Sequence, residues 1–100
     1  MIAKIWNKSY WVSETNPFIL KNQYSEMLIE SGFNILDLVD HNFKPYGYTA
    51  LFLLAESHLA IHTFPEENKT YIEISSCIKN KFENFLKINK RSILNDSFKK

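Results

Sequence analysis

Apolar side chains recur at helical spacing in two segments of the chain. The first segment follows Asn16 and Pro17, an N-cap and first-turn combination that begins helices, and it ends before Gly32, which favours the backbone conformation after a helix. We therefore predict a helix over residues 17–31. A second helix is predicted over 78–89, where the apolar residues fall on one face. The tail that follows is predicted to form a short strand or to remain irregular.

Alternating patterns and continuous apolar runs predict five strands. The N-terminal segment is rich in aromatic and β-branched residues, and the segment after the first helix alternates between apolar and polar positions. A strand apolar on both faces, a short strand and a second alternating strand follow, separated by turn sequences. The predicted strands cover residues 2–13, 33–43, 48–58, 59–64 and 70–77.

The order of these elements predicts the fold. Short connections between successive strands favour an antiparallel sheet, and a sheet accompanied by two helices is typical of an α+β fold. We expect a two-layer sandwich, with both helices on one face of an antiparallel sheet and one domain spanning 1–100. The second sheet face must then be polar, be covered by another copy of the chain, or provide a site. Aromatic residues make up 15% of the chain, which suits a core of large side chains, a dimer interface or a stacking pocket.

Charge and cysteine content exclude several classes of function. The chain carries 12 Lys and Arg against 11 Asp and Glu, interleaved along its length, which predicts no binding to nucleic acid or to a membrane surface. The longest apolar run, 50–55, is too short to span a bilayer, and the N-terminus lacks the apolar run of a signal peptide. One cysteine, Cys77, excludes an internal disulfide. We expect a soluble, cytoplasmic protein.

Candidate chemistry is concentrated at the end of the third predicted strand and in the fourth, where Ser57, His58 and His62 lie close in sequence. The two histidines would share one face of a strand but lie roughly 13 Å apart, too far for one ion, so no metal site is predicted. Ser57 lacks the glycine-flanked turn of Ser-His-acid hydrolases. A thiol nucleophile would require the fold to bring Cys77 and His62 together. Taken singly, each residue is more typical of a hydrogen-bonded strand position or, for Cys77, a small buried side chain.

The combination is more specific than its parts. The sequences ESH at 56–58, IHTFPE at 61–66 and SSC at 75–77 closely resemble the signature of bacterial and archaeal S-adenosylmethionine decarboxylase proenzymes. The upstream segment FKPYGYTALFLL, at 43–54, is similar to the family's entry to this strand. These motifs lie between residues 43 and 77, about a third of the chain.

The resemblance implies self-cleavage between Glu56 and Ser57, into a β chain, 1–56, and an α chain, 57–100. Ser57 would attack the Glu56 carbonyl, and the resulting ester would leave by β-elimination, so that Ser57 becomes a pyruvoyl group. This pyruvoyl group is the cofactor, and it forms a Schiff base with the substrate amine.

The resemblance also assigns roles around Ser57. His62 matches the processing base, since imidazole transfers protons near neutral pH. Thr49 matches a hydroxyl residue that assists processing or catalysis, and Cys77 matches the proton donor to the substrate carbon. Phe43 and Phe64 match rings that contact adenine, and Glu66 matches the carboxylate that binds the ribose hydroxyls.

The function implied is decarboxylation of S-adenosylmethionine for polyamine (spermidine) synthesis, by a homodimer of αβ protomers with the site at the interface. Two alternatives remain open. Related proteins on this fold decarboxylate ornithine or arginine, and these would keep the processing residues and lose the nucleoside contacts. A non-processing homologue would act as a structural or regulatory subunit. The presence of Phe43, Phe64 and Glu66 favours the nucleoside substrate, and intact Ser57 and His62 favour an enzyme.

Overall fold

The computed structural model describes residues 3–98, and it contains five strands, two helices and one short 3-10 turn. The 3-10 turn, Pro65–Glu67, connects the fourth and fifth strands. The other elements are β1 Trp6–Val12, α1 Pro17–Ser31, β2 Ile35–Asn42, β3 Tyr48–Leu54, β4 Ser57–Phe64, β5 Lys69–Ser76 and α2 Lys79–Phe98.

All strand pairs are antiparallel, and the sheet order is β1-β5-β4-β3-β2. Strands β2 to β5 form a meander in which each strand pairs with the next along the chain, as their short connections predict. Strand β1 lies at the far edge beside β5, so α1 connects the two edges of the sheet. The predicted α+β sandwich is confirmed.

Both helices pack on one face of the sheet, here called the helix face. Leu20 and Leu28 of α1 and Phe85 of α2 are fully buried there, against strand residues such as Ile61 and Ile72. Burying side chains of this size contributes about 1.5–3 kcal/mol each, which makes this layer the source of most of the stability. Within residues 3–98, no helix combines the length and apolar character that crossing a bilayer requires.

The predicted bounds of α1 are confirmed by both of its caps. The Asn16 side chain accepts a hydrogen bond from the Ile19 backbone N–H at 3.1 Å. Gly32 adopts φ 101°, and its own N–H bonds back to the last turn of the helix. Only glycine adopts this conformation without strain, so the helix ends where the sequence predicts.

The opposite side of the sheet, here called the open face, is uncovered in the single chain. Strand β3 was predicted to be apolar and buried on both faces, and this is wrong for the open face, where Leu51 and Leu53 are 49% and 54% exposed. Directly paired residues share a face, so Leu51 lies beside Val39 of β2 and Ala60 of β4. Apolar side chains therefore form a surface that another molecule can cover.

Several predicted boundaries are wrong, and two of them have a clear physical reason. The strand predicted over 48–58 ends at Leu54, because a two-residue turn intervenes and Ser57 begins β4 in register with Leu54. The helix predicted to stop at residue 89 continues to Phe98, so the tail is not a strand within the described residues. No glycine or proline follows to stop the helix. The hydrogen bond between Arg91 and Glu30, at 2.9 Å, also connects its extension to α1.

The Asn16 cap yields a stability prediction. Replacing Asn16 with Ala leaves the Ile19 N–H without its side-chain acceptor, so we expect the free energy of unfolding to fall by about 1 kcal/mol. Asn16→Asp keeps the acceptor and should unfold within a few tenths of a kcal/mol of wild type. Urea denaturation followed by circular dichroism measures both. An equal loss in the two variants would contradict the role of the cap.

Candidate functional site

The turn between β3 and β4 brings the predicted cleavage bond against the end of β5. Glu56 has φ 60°, a left-handed conformation that is uncommon for residues other than glycine. Its carbonyl oxygen accepts a hydrogen bond from the backbone N–H of Cys77 at 3.1 Å. Ser57 follows as the first residue of β4, and its hydroxyl donates to the Ser76 hydroxyl at 2.7 Å. The two residues on either side of the predicted cleavage bond are therefore each held by a hydrogen bond. Cys77, which follows β5, holds Glu56, and Ser76, the last residue of β5, holds Ser57.

We call the group formed by Glu56, Ser57, Ser76 and Cys77 the hairpin end. Three of its four residues are accessible to solvent. Glu56 and Cys77 are exposed, and Ser57 is half-buried. Two interpretations of Cys77 followed from the sequence, a small buried side chain and a reactive thiol. The exposure of Cys77 favours the reactive thiol.

A second group lies on the open face. Thr49 of β3 and His62 of β4 are direct cross-strand partners, and the Thr49 hydroxyl is 3.1 Å from Nδ1 of the imidazole. On the other side, the Tyr71 ring of β5 lies 6.2 Å from the imidazole ring, at 31° between planes. The imidazole is therefore flanked on two sides. Since Nδ1 contacts Thr49, Nε2 is the nitrogen that remains to exchange a proton with another molecule.

The predicted substrate contacts lie at the far end of the sheet from Ser57. Phe64 is the last residue of β4, and Glu66 lies in the 3-10 turn that follows. Phe43 follows β2 and is held by a hydrogen bond from its N–H to the Gly47 carbonyl at 2.8 Å. Gly47 has φ 110°, which the tight loop requires. All three predicted contacts are exposed.

Aromatic neighbours surround the two phenylalanines. The Phe43 ring lies 4.6 Å from the His41 ring in an edge-on arrangement, and Phe64 lies 5.9 Å from Trp11. A cleft of about 360 Å³ opens beside Phe43 and Pro65. This end of the sheet therefore presents aromatic surface with the Glu66 carboxylate beside it.

One chain does not bring these groups together. Ser57 and His62 are five residues apart on β4, which separates them by roughly 16 Å and turns their side chains to opposite faces. Phe64 is seven residues from Ser57, roughly 23 Å along the strand. His58 shares the open face with His62, four residues away, and among the described residues no group of three candidate ligands could hold a metal ion.

Sequence reasoning missed Ser76 and Tyr71. Ser76 is buried at 2% exposure and continues the helix-face pattern of Ile72 and Ile74. A hydroxyl at a position where the alternation requires an apolar side chain was the available signal. Tyr71 carried no such signal, because its place beside His62 depends on the register between β4 and β5.

Among the described residues, a carboxylate with a shifted pKa, Asp40, lies outside the hairpin end and outside the Thr49–His62 pair. The Tyr48 hydroxyl donates to Asp40 at 2.7 Å, and this hydrogen bond, with help from Lys21, lowers the pKa of Asp40. Burial, followed by the effect of Asp40, raises the pKa of Tyr48. The contact connects β2 to β3 and fixes the strand that precedes Phe43.

Comparisons with known proteins agree with the motif. The family model described as S-adenosylmethionine decarboxylase matches residues 15–99. An S-adenosylmethionine decarboxylase proenzyme 2 of Bacillus cereus is 49% identical over 47 residues, which are 47% of this chain and 38% of the relative. The proenzyme of Oceanobacillus iheyensis is 31% identical over 77 residues, covering 77% of this chain and 60% of the relative. The chain thus spans about two fifths to three fifths of the length of these relatives.

A solved structure supports the fold. The crystal structure of the adenosylmethionine decarboxylase from Aquifex aeolicus superposes with a TM-score of 0.69 at 16% sequence identity. The superposition covers 85% of this chain and 76% of the other. At this identity the likeness establishes the common architecture of sheet and helices.

Proposed function

This chain belongs to the S-adenosylmethionine decarboxylase family, and we propose that it is a proenzyme that cuts itself between Glu56 and Ser57 and then decarboxylates S-adenosylmethionine. The products of cleavage are a β chain, 1–56, and an α chain, 57–100. The observation that carries the proposal is the hydrogen bond from the Cys77 N–H to the Glu56 carbonyl at 3.1 Å. It places a backbone donor on the oxygen that becomes negatively charged when this carbonyl is attacked.

The first step is an N-to-O acyl shift. Ser57 Oγ forms a bond to the Glu56 carbonyl carbon, the C–N bond to Ser57 breaks, and the hydroxyl proton ends on the freed nitrogen. The Cys77 N–H stabilises the oxyanion of the tetrahedral intermediate, a contribution that fixed backbone donors make in acyl transfer. The left-handed backbone of Glu56 costs about 1–2 kcal/mol, and cleavage after this residue releases that strain.

The second step removes the α-proton of Ser57. Imidazole has the basicity for this transfer, so we assign it to His62, with Thr49 holding the ring through Nδ1. The Cβ–Oγ bond then breaks, the Glu56 carboxylate leaves, and hydrolysis of the remaining dehydroalanine gives ammonia and a pyruvoyl group at residue 57. Such a group supplies a carbonyl that binds an amine and takes up electrons during decarboxylation. The Cys77 thiol, exposed beside this position, returns the proton to the substrate carbon.

The separation between Ser57 and His62 within one chain supports a site that two copies of the chain share. Two copies that stack their open faces in opposite directions bring the Thr49–His62 pair of one copy toward the hairpin end of the other. Phe43, Phe64 and Glu66 move toward that end in the same way. The functional unit is therefore a homodimer of αβ protomers with its sites at the interface.

The composition of the open face supports this dimer. Large exposed apolar surfaces on single chains mark interaction sites, because leaving them in water is unfavourable. Several such side chains lie on this face or at its rim and are at least one third exposed. They are Trp11, Val39, Leu51, Leu53 and Phe64.

The residues at the far end of the sheet support a nucleoside substrate. Exposed aromatic rings suit both the adenine base and the sulfonium cation of S-adenosylmethionine. The exposed Glu66 carboxylate suits the two ribose hydroxyls. The decarboxylated product then supplies polyamine (spermidine) synthesis, and the free thiol of Cys77 fits the reducing cytoplasm.

Self-cleavage can be read from the intact mass of the purified protein. We expect two fragments, 1–56 and 57–100, with the second lacking a free amino terminus because it begins with pyruvoyl. Ser57→Ala removes the nucleophile and should remain one chain. A wild-type protein that also remains one chain would contradict the proposal and favour the non-processing homologue.

Cleavage across the dimer can be tested by mixing two inactive variants. Ser57→Ala and His62→Ala should each remain uncut alone. When the two are co-expressed with different tags, each mixed dimer pairs an intact Ser57 on one copy with an intact His62 on the other. We expect the His62→Ala chain to be cut in a fraction equal to that of mixed dimers. No cutting in isolated mixed dimers would show that both residues must belong to one chain.

The substrate can be identified from release of carbon dioxide. We expect S-adenosylmethionine to react and ornithine and arginine to remain unchanged. Glu66→Gln weakens a charge-assisted contact to ribose, so KM for S-adenosylmethionine should rise about 10-fold or more while self-cleavage proceeds normally. Activity on ornithine or arginine, unaffected by Glu66→Gln, would instead identify the amino-acid decarboxylase.

A further inference from the structure

The Ser76 hydroxyl contacts the predicted nucleophile directly. Ser57 and Ser76 are paired residues of β4 and β5, and the Ser57 hydroxyl donates to Ser76 Oγ at 2.7 Å. On this geometry, and building on the proposed self-cleavage, we propose that Ser76 is a positioning residue for the acyl shift. It orients the hydroxyl of Ser57 before attack on Glu56.

Ser76 is itself held in place by the start of the segment that leads into α2. Its Oγ accepts a hydrogen bond from the Ile78 N–H at 2.9 Å and donates to the Ile78 carbonyl at 3.3 Å. Together with the bond from Ser57, these contacts use its one donor and both of its acceptor sites. Ser76 is also only 2% exposed. Water therefore does not compete for the oxygen that accepts the hydrogen bond from the Ser57 hydroxyl.

This contact selects one orientation of the nucleophile. A serine hydroxyl at a half-buried strand end has three staggered χ1 positions and can turn its proton toward water. The bond to Ser76 fixes both the rotamer and the direction of the proton. The lone pairs of Oγ are then directed away from Ser76 and remain to attack the Glu56 carbonyl carbon.

Consecutive residues thus hold both reacting groups of the acyl shift. Ser76 holds the hydroxyl that attacks, and the N–H of Cys77 holds the carbonyl oxygen that is attacked. Both hydrogen bonds come from the end of β5, so both depend on the register in which β5 pairs with β4. A net hydrogen bond of ordinary strength corresponds to about 3- to 10-fold in the rate of the acyl shift.

The experiment isolates this step in the His62→Ala protein, which is expected to stall at the ester. Hydroxylamine cleaves an ester but leaves a peptide bond, so the fraction cut by hydroxylamine reports the acyl shift alone. Ser76→Thr and Ser76→Val have nearly the same shape and differ by the hydroxyl. Ser75→Ala is the matched control, because Ser75 is the neighbouring residue on the open face and bonds to Asn7 instead.

We expect the valine variant to form ester about 3- to 10-fold more slowly than the reference, and the threonine variant and Ser75→Ala to remain within about twofold. Thermal midpoints measured in parallel show that all variants are folded. Equal rates for Ser76→Val and Ser76→Thr would overturn the role of Ser76, even if both are less stable than wild type. Equal slowing by Ser75→Ala would also overturn it, because the effect would then belong to the strand end in general.

The failure of the proposed function has a different signature. If the His62→Ala reference itself gives no fragment with hydroxylamine, and wild type remains uncut, then self-cleavage is wrong and the role of Ser76 is overturned with it. If wild type cuts and only the serine variants behave unexpectedly, the decarboxylase proposal stands and the positioning role is rejected.

Discussion

The pairing between β4 and β5 is the constraint on which the rest of the site depends. It places Ser57 opposite Ser76, and by the same register it places His62 opposite Tyr71. A slip of one residue would turn every side chain of β4 to the other face, which would expose Ile61 and bury His62. The buried apolar residues of β4 therefore fix the register, and the polar residues at the site take their positions from it.

The same alternation explains why a single chain holds an incomplete site. Residues that fill the helix face leave their sequence neighbours on the open face, so a base five positions from the nucleophile must lie on the opposite side of the sheet. The proposed nucleophile, Ser57, therefore shares the helix face with the core, whereas the proposed base, His62, lies on the open face. In the proposed dimer, a second copy covers exposed side chains such as Leu51 and Leu53 and supplies the missing groups to the hairpin end. On this view, assembly precedes cleavage.

Much of the architecture was predictable because local signals and packing agree. The caps at Asn16 and Gly32 determine where α1 begins and ends, and the alternation in β5 identifies its buried face. The turn at Glu56 was not predictable in this way, since it uses a left-handed residue where neither glycine nor asparagine marks the position. The end of α2 was missed because the prediction stopped with the apolar pattern, whereas the helix continues beside α1, where Arg91 contacts Glu30.

The candidate site was likewise predictable only in part from the sequence. The motif identifies Ser57, His62 and Cys77 as chemical groups, but spacing along the sequence cannot show which of them meet in space. Ser76 accepts a hydrogen bond from the Ser57 hydroxyl because β4 and β5 pair. The two residues are 19 positions apart in sequence, so no local pattern predicts their contact.

In the proposed mechanism, Cys77 takes part in two reactions in succession. Its contact with the cleavage bond is made by the backbone N–H, whereas its proposed part in decarboxylation is played by the thiol. The backbone donor is present with any side chain other than proline, so self-cleavage places no demand on the sulfur. In the same proposal, the thiol has no role until the pyruvoyl carbonyl has formed. Because the two functions use different atoms, the side chain at this position is constrained only by proton return, and the backbone only by the acyl shift.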